Sequence, residues 1–365
     1  MDYPGRQSRL QGLLPRYRLH AVLITHPPNI RYLCGFTGSS GVLLLGAMGR
    51  VFFSDGRYTE QARAEVEGAR IVIARKAPLI MAAGWLQSHH RKIAKAGPVP
   101  IGIEGDHLTL AEYQRLRKML GSTFRVRSAP PLAERARLVK DGEEIERMRQ
   151  AAALGTCLFE KAMQVIRPGL PEAEVAAEME RMARQLGAEG MSFPTIIAAG
   201  KRSALPHGRA SNAPIPPDSF VVCDFGVILT GYCSDMTRTV YLGRPSPEAR
   251  RVYEAVRRAQ QAAVEAAKPG CTTGEVDRSA RKLLQKEGLS RYFTHSTGHG
   301  VGLEIHEAPR VAERQEQVLS PGMVITIEPG VYIPGKWGVR IEDTLVITEQ
   351  GCEVLTLASK GLVAV

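Results

Sequence analysis

Phe220-Val221-Val222-Cys223-Asp224-Phe225-Gly226-Val227, continuing through Leu229-Thr230-Gly231 into Tyr232-Cys233-Ser234-Asp235-Met236-Thr237-Arg238-Thr239-Val240, is two strand-like runs about a tight turn. It predicts a β-hairpin. With the turn centred between Leu229 and Thr230, Asp224 and Asp235 face each other with Cβ atoms about 5 Å apart. A bulge would shift that register by one. Val324-Ile325-Thr326-Ile327-Glu328 and Val339-Arg340-Ile341-Glu342-Asp343, joined through Pro334-Gly335-Lys336-Trp337-Gly338, make a second hairpin. A loop centred on Gly335 sets Glu328 against Glu342. Taken singly, these acids are ordinary surface or N-cap residues. As two pairs on apolar strands they are costly to bury without positive charge. Arg340, two residues from Glu342 on the same strand face, helps one carboxylate. Two divalent cations with a bridging hydroxide balance all four far more closely.

The further ligand is sought in Phe293-Thr294-His295-Ser296-Thr297-Gly298-His299-Gly300-Val301-Gly302-Leu303-Glu304-Ile305-His306-Glu307, where three histidines lie among glycines that let backbone approach a ligand closely. An oxygen-rich site with one imidazole and no thiolate favours Mn(II), Co(II) or Fe(II), with catalytic Zn(II) also compatible. Other motifs fail. His306-Glu307-Ala308-Pro309-Arg310 has Arg where a zincin needs its second His, and Gly200-Lys201-Arg202-Ser203 lacks the upstream Gly and the Lys-Ser step of a P-loop. The spacing of Gly298, Gly300 and Gly302 is not a dinucleotide fingerprint, and His89-His90 has no acidic partners nearby.

Outward from the hairpins, the second part of the chain repeats an order of elements. Helices are expected at about 143–165 and 171–187, strands from 192 to 242, helices at about 246–268 and 274–288, and strands from 292 to 347. That order is two ααβ halves, with no obvious repeat at the level of residues. From about residue 8 to 127, strand-length runs (Ala21 to Thr25, Gly41 to Leu45, Val51 to Ser54, Arg70 to Ala74, Val99 to Ile103) alternate with helical patterns at Gly56 to Glu67 and Leu79 to Ala94. This is an α/β domain. Ala129-Pro130-Pro131 breaks the pattern, which places the boundary close to residue 131, with domains at 1–131 and 132–365.

A chain of 365 residues with 44% hydrophobic and 23% charged residues suits two globular domains and excludes disorder or collagen-like repetition. No apolar run approaches the roughly 20 residues that span a bilayer. The start, Met1-Asp2-Tyr3-Pro4-Gly5-Arg6, has no apolar core of a secretory signal, so a cytoplasmic protein is expected. Six cysteines without a C-x-x-C pair suit reduced thiols. The net charge of +11 is interleaved with Glu along helical stretches, the pattern of a solvated basic surface rather than of a nucleic-acid site.

Asp224, Asp235, His299, Glu328 and Glu342, in this order and context, resemble the five metal ligands of the pita-bread metallopeptidases, the family of methionine aminopeptidase, aminopeptidase P and prolidase. Asn29-Ile30-Arg31-Tyr32-Leu33-Cys34-Gly35-Phe36-Thr37-Gly38 and Ser54-Asp55-Gly56-Arg57-Tyr58 resemble the creatinase-like N-terminal domain of the proline-specific members. The resemblance covers most of the chain. It implies an α/β creatinase-like N-terminal domain followed by an α+β pita-bread catalytic domain with pseudo-twofold ααβ halves. It also implies a dinuclear site, Mn(II) first among its metals, in which Asp224 and both oxygens of Asp235 bind one ion. Asp224 or Asp235, with the bridging Glu342, is shared by the pair, and His299 and Glu328 complete the other sphere.

By the same resemblance Glu328 accepts a proton from the bridging water, and His207, in Leu205-Pro206-His207-Gly208, and His306 contact substrate and stabilise the oxyanion. His295 matches a further active-site histidine, and Tyr332 and Arg340 support the ligand sphere from outside. The implied activity is hydrolysis of the Xaa-Pro bond at the N-terminus of peptides by a homodimer. The short N-terminal domain leans the expectation toward dipeptides. Aminopeptidase P activity on longer Xaa-Pro peptides, a non-peptidase amidohydrolase and an inactive binding module on the same scaffold are the alternatives.

Overall fold

A computed structural model describes residues 1–90 and 97–363, which form two compact units, Met1–Arg137 and Leu138–Val365. The short helix Leu132–Arg137 goes with the first unit, beyond the Pro130-Pro131 break used to divide the sequence.

In the first unit six strands form one mixed sheet in the order Arg70–Ala74, Gly49–Asp55, Val42–Gly46, Ala21–Ile24, Val99–Ile103, Phe124–Ser128. Ala21–Ile24 and Val42–Gly46 are buried throughout, as central strands covered on both faces must be. The last strand was not foreseen. It is an edge strand in which Arg125 and Arg127 interrupt the apolar run, so its alternation reads as polar. The pattern expected as a helix over 56–67 begins as a 3-10 turn at Gly56–Tyr58 and continues as Thr59–Glu65. Of the helix expected over 79–94, Pro78–His89 is observed, and the expected end at 94 lies outside the described residues.

The second unit is two helix pairs with two groups of strands. Gly142–Val165 and Glu172–Gln185 bury their apolar stripes in one core, while Pro247–Ala266 and Thr273–Lys286 bury theirs in another. The strand Ser219–Phe225 is buried along its whole length because it serves both cores. Val221, Cys223 and Phe225 face the first helix pair, and Phe220 faces the second.

The tertiary structure also uncovers a residue-level repeat. Pro168-Gly169-Leu170-Pro171-Glu172-Ala173-Glu174-Val175 and Pro269-Gly270-Cys271-Thr272-Thr273-Gly274-Glu275-Val276 are equivalent turns into equivalent helices. Both glycines have left-handed backbone, with φ of +83° and +88°. Their amides donate to Ile215 O at 2.8 Å and Leu319 O at 2.9 Å. Glu172 N and Thr273 N likewise donate to Ala213 O and Gln317 O, at 3.1 and 2.9 Å. Only four of the eight residue types match, too few to stand out by eye.

A buried ionic knot ties the two halves together. The Asp343 carboxylate, fully buried, accepts from Arg238 Nη2 at 2.7 Å, Gln260 Nε2 at 2.8 Å, Thr356 Oγ1 at 2.9 Å and Lys360 Nζ at 2.7 Å. Burial pushes its pKa up, but Arg238 and Lys360 outweigh burial and hold it below the usual carboxylate value. Asp343→Ala leaves the Arg238 guanidinium, 1% exposed, without its counter-charge. The expected loss is about 3–5 kcal/mol of stability, read by denaturant unfolding, and an unchanged midpoint would show that the pair contributes nothing net.

Candidate metal centre

Asp235, Glu328 and Glu342 stand where a β-ladder is interrupted, and Asp224 sits on a paired strand one residue before such a break. The first hairpin pairs Thr237 with Asp224 and Met236 with Phe225, and beyond the break Ile228 with Cys233 and Leu229 with Tyr232. Its turn is therefore Thr230-Gly231, both left-handed at φ 47° and 86°, the backbone of a tight hairpin turn. This corrects the direct opposition of Asp224 and Asp235. The register differs by two residues, so Asp235 lies diagonally to Asp224 in the gap between Tyr232–Cys233 and Met236–Leu242. A shift of two keeps every side chain on its face, which is why both carboxylates still reach the same cavity.

The second hairpin has the expected register on both sides of its glutamates, with Ile327 opposite Asp343 and Gly330 opposite Arg340. The ladder itself stops between them. Glu328 N donates instead to Thr297 O at 2.7 Å, and Glu342 N to Thr237 O at 3.0 Å. The interrupted strand is thus satisfied from within the second half at Glu328 and by the first half at Glu342. Thr237 is the hub of that exchange. Its hydroxyl donates to Glu342 Oε2 at 2.7 Å and accepts from Arg340 Nε at 3.1 Å. Sequence reasoning missed it; the polar Thr237-Arg238-Thr239 run on a fully buried strand was the available signal.

Asp224, Asp235, His299, Glu328 and Glu342 all line one cavity of about 650 Å³, together with His207, His295, His306 and Arg340. One ligand atom from each of Asp235, His299 and Glu342 lies within 4.8 Å of the others. His299 is held between Gly298 and Gly300, where a Cβ would meet Thr326 O at 1.9 Å and Ala308 O at 2.2 Å, so no larger residue fits the two adjoining strands. Its Nδ1 faces Gly300 O at 3.0 Å, which assigns the proton to Nδ1 and leaves the Nε2 lone pair directed into the cavity. That lone pair meets Asp235 Oδ2 and Glu328 Oε1, each at 3.5 Å. Burial holds the imidazole pKa down at about 4, so at neutral pH three electron-rich atoms face one another.

The carboxylates carry the same imbalance. Glu342 is pushed up to about 8 by burial and by Asp224, while Asp235 and Glu328 rise well above their ordinary values by burial and the charge of Glu342. Arg340 is the buried cation at hand, and it pairs with Asp224 rather than with Glu342. One guanidinium against four acids leaves the set short of positive charge. Carboxylate oxygens and one imidazole, with no thiolate, fit divalent cations.

Behind the cavity, Arg340 Nη1 donates to Tyr332 OH at 2.6 Å and to Pro206 O at 3.0 Å. Burial raises the Tyr332 phenol to about 12, so it stays protonated and donates to His295 Nε2 at 2.9 Å. His295 Nδ1 in turn donates to Ser296 O at 2.8 Å, and burial with the Arg340 charge holds this imidazole at about 4, neutral. At the opening, His306 is exposed, with its ring centroid 4.4 Å from that of His299. Burial, then the nearby His207, lowers the His306 pKa. Phe193, Pro194, Ile196 and Ile305 supply an apolar wall, and Arg209 and Arg310 line the same space. None of these six was singled out from the sequence, since a cavity lining assembled from four separate segments has no local pattern.

An acidic, imidazole-bearing centre at the seam of a pseudo-twofold α+β unit, following a separate α/β unit, defines a metal-dependent hydrolase of the pita-bread class. The chain belongs to metallopeptidase family M24, whose model matches residues 146–349, and the Creatinase/Prolidase N-terminal domain matches residues 6–139. It is 38% identical to an Xaa-Pro dipeptidase of Pyrococcus horikoshii over 98% of each chain. Among solved structures, the Xaa-Pro dipeptidase from Bacillus anthracis superposes with a TM-score of 0.93 at 39% identity over 100% of each chain. The X-Pro aminopeptidase from Thermotoga maritima superposes with a TM-score of 0.89 at 35% identity, covering 99% of this chain and 100% of that one. Members of this family are dinuclear-metal dependent. No helix among the described residues is long and apolar enough to cross a membrane.

Proposed function

We propose that this peptidase hydrolyses the Xaa-Pro bond of dipeptides, using two divalent cations, Mn(II) foremost, held by Asp224, Asp235, His299, Glu328 and Glu342. The observation that carries the reading is the neutral His299 lone pair facing Asp235 and Glu328 at 3.5 Å, an arrangement that only a cation or a proton makes favourable. Bound cations lower the pKa of a water toward neutrality and polarise the scissile carbonyl. Glu328 accepts the proton released there; without cations, burial and the charge of Glu342 oppose its ionisation, and bound cations would hold it as the carboxylate that can accept a proton. The apolar wall of Phe193, Pro194 and Ile305 receives the proline ring. His207 and His306 stand at the opening to hold the substrate and donate to the oxyanion, and Arg340 keeps Asp224 in place.

His306→Ala should lower kcat roughly 100-fold with metal content little changed. Loss of metal on elemental analysis would move His306 into the ligand set. The choice between dipeptides and longer peptides is tested by adding Mn(II) back to metal-stripped protein with Ala-Pro and Ala-Pro-Ala. Cleavage of the dipeptide alone supports the proposal; cleavage of the tripeptide makes the enzyme an aminopeptidase P. Failure of both in fully loaded protein removes the Xaa-Pro reading. All six cysteines are free, which suits a cytoplasmic enzyme. A homodimer is proposed from the family alone, and a monomeric mass in light scattering would remove it.

A further inference from the structure

We infer that Glu172 is a positioning residue for His207: its carboxylate clamps both ends of the segment 199–211 and so sets where that imidazole stands in the cavity. Glu172 opens the helix Glu172–Gln185 and is 1% exposed, a place where an acid gains from the helix N-terminus but still needs donors. It has them from both ends of the segment. Ala199 N donates to Oε1 at 2.9 Å, and Arg202 Nε reaches Oε1 at 3.2 Å and Oε2 at 2.9 Å. From the far end, Ser211 N and Ser211 Oγ donate to Oε2 at 3.2 and 2.8 Å. Arg202, so held, passes the constraint on by donating from Nη2 to Arg209 O at 2.7 Å.

Between the clamped ends Ser203 is also anchored, its Oγ donating to Gly200 O at 2.6 Å and accepting from Gly338 N at 2.8 Å, and from Leu205 onward the bonds are few. Leu205 is 50% exposed and His207 is exposed, and the middle is held by Arg340 at Pro206 O and by Gly208 N on Leu205 O at 3.0 Å. The pseudo-twofold mate of Glu172 shows that the carboxylate is not required to build the turn itself. Thr273 occupies that position in the second half with the same backbone bond, and its buried hydroxyl has no hydrogen-bond partner among the described residues. The acid is present only in the half whose loop carries His207.

The role given to His207 rests on the Xaa-Pro hydrolysis proposed above, whereas the clamp does not. The test therefore has two readouts on the Mn(II)-loaded full-length protein. In the first, Glu172→Gln should speed amide hydrogen exchange across 199–211 while the helix Pro247–Ala266 keeps its protection. In the second, Glu172→Gln should lower kcat/KM for Ala-Pro roughly 10- to 100-fold at unchanged metal content. In a His207→Ala background the same change should cost no more than about twofold, because the group it positions is already gone.

Penalties that multiply in the double variant would overturn the proposal, as would unaltered exchange in the segment. If Glu172→Gln fails to fold, Ser211→Ala, which removes a single donor, is read in the same cycle with the same criteria and a smaller effect. A wild-type enzyme inert toward every Xaa-Pro peptide would sink the functional reading, and the exchange measurement would still decide the clamp.

Discussion

Glu328→Gln should abolish turnover, lowering kcat by roughly 1,000-fold or more, while the protein stays folded. The amide has nearly the same shape but accepts no proton and brings no charge, so it removes the proposed general base and weakens a proposed metal ligand at once. The backbone around it does not depend on the carboxylate. Glu328 N is held by Thr297 O, and the flanking ladders on Ile327 and Gly330 are complete. The metal-free variant should even be more stable than the metal-free parent, since it removes an acid whose ionisation is opposed by burial and by Glu342. Kinetics and thermal melts on the same preparations check both halves. A near-normal kcat would take the proton-accepting role away from Glu328.

Stripping the metal should remove activity and make stability fall steeply as pH rises. The acids Glu342, Asp235 and Glu328 have raised pKa values in the folded, metal-free protein, Glu342 reaching about 8 through burial and Asp224. In the unfolded chain such groups titrate near their ordinary values, about 4. Between about pH 4 and 8 the folded state therefore holds protons that the unfolded state has released, so stability declines across that window. Cations replace those protons and cancel the decline.

The expected result is a Tm that drops on the order of 10 °C between about pH 5 and 8 in chelated protein and stays nearly level once Mn(II) is restored. Calorimetry in two buffers of different ionisation heat should also register proton release on metal uptake at neutral pH. A flat Tm in chelated protein would mean that Arg340 and hydration already compensate the acids.

Much of this was legible in the chain because it depends on local pattern. Largely apolar runs marked Ala21–Ile24, Ser219–Phe225 and Val324–Ile327 as strands, and acids placed in or at the end of such runs marked Asp224 and Glu328 as sites needing positive charge. The edge strand Phe124–Ser128 escaped because half of it faces solvent and carries Arg125 and Arg127.

The register at Asp235 could not be read because it depends on which two residues adopt left-handed backbone. Thr230 is a poor choice on propensity alone, yet it occupies that conformation beside Gly231. The broad order of the elements and the four acids proposed as ligands were thus legible in the sequence alone, through side-chain periodicity and the cost of burying charge, whereas the choice of His299 among three histidines came from the family resemblance. What the tertiary structure decided is how distant segments complete one another: Thr237 serving Glu342, Arg340 turning to Asp224, and Glu172 holding both ends of the loop of His207. Such contacts are made by hydrogen-bond groups left over where ladders stop, and no local pattern records which far strand will satisfy them.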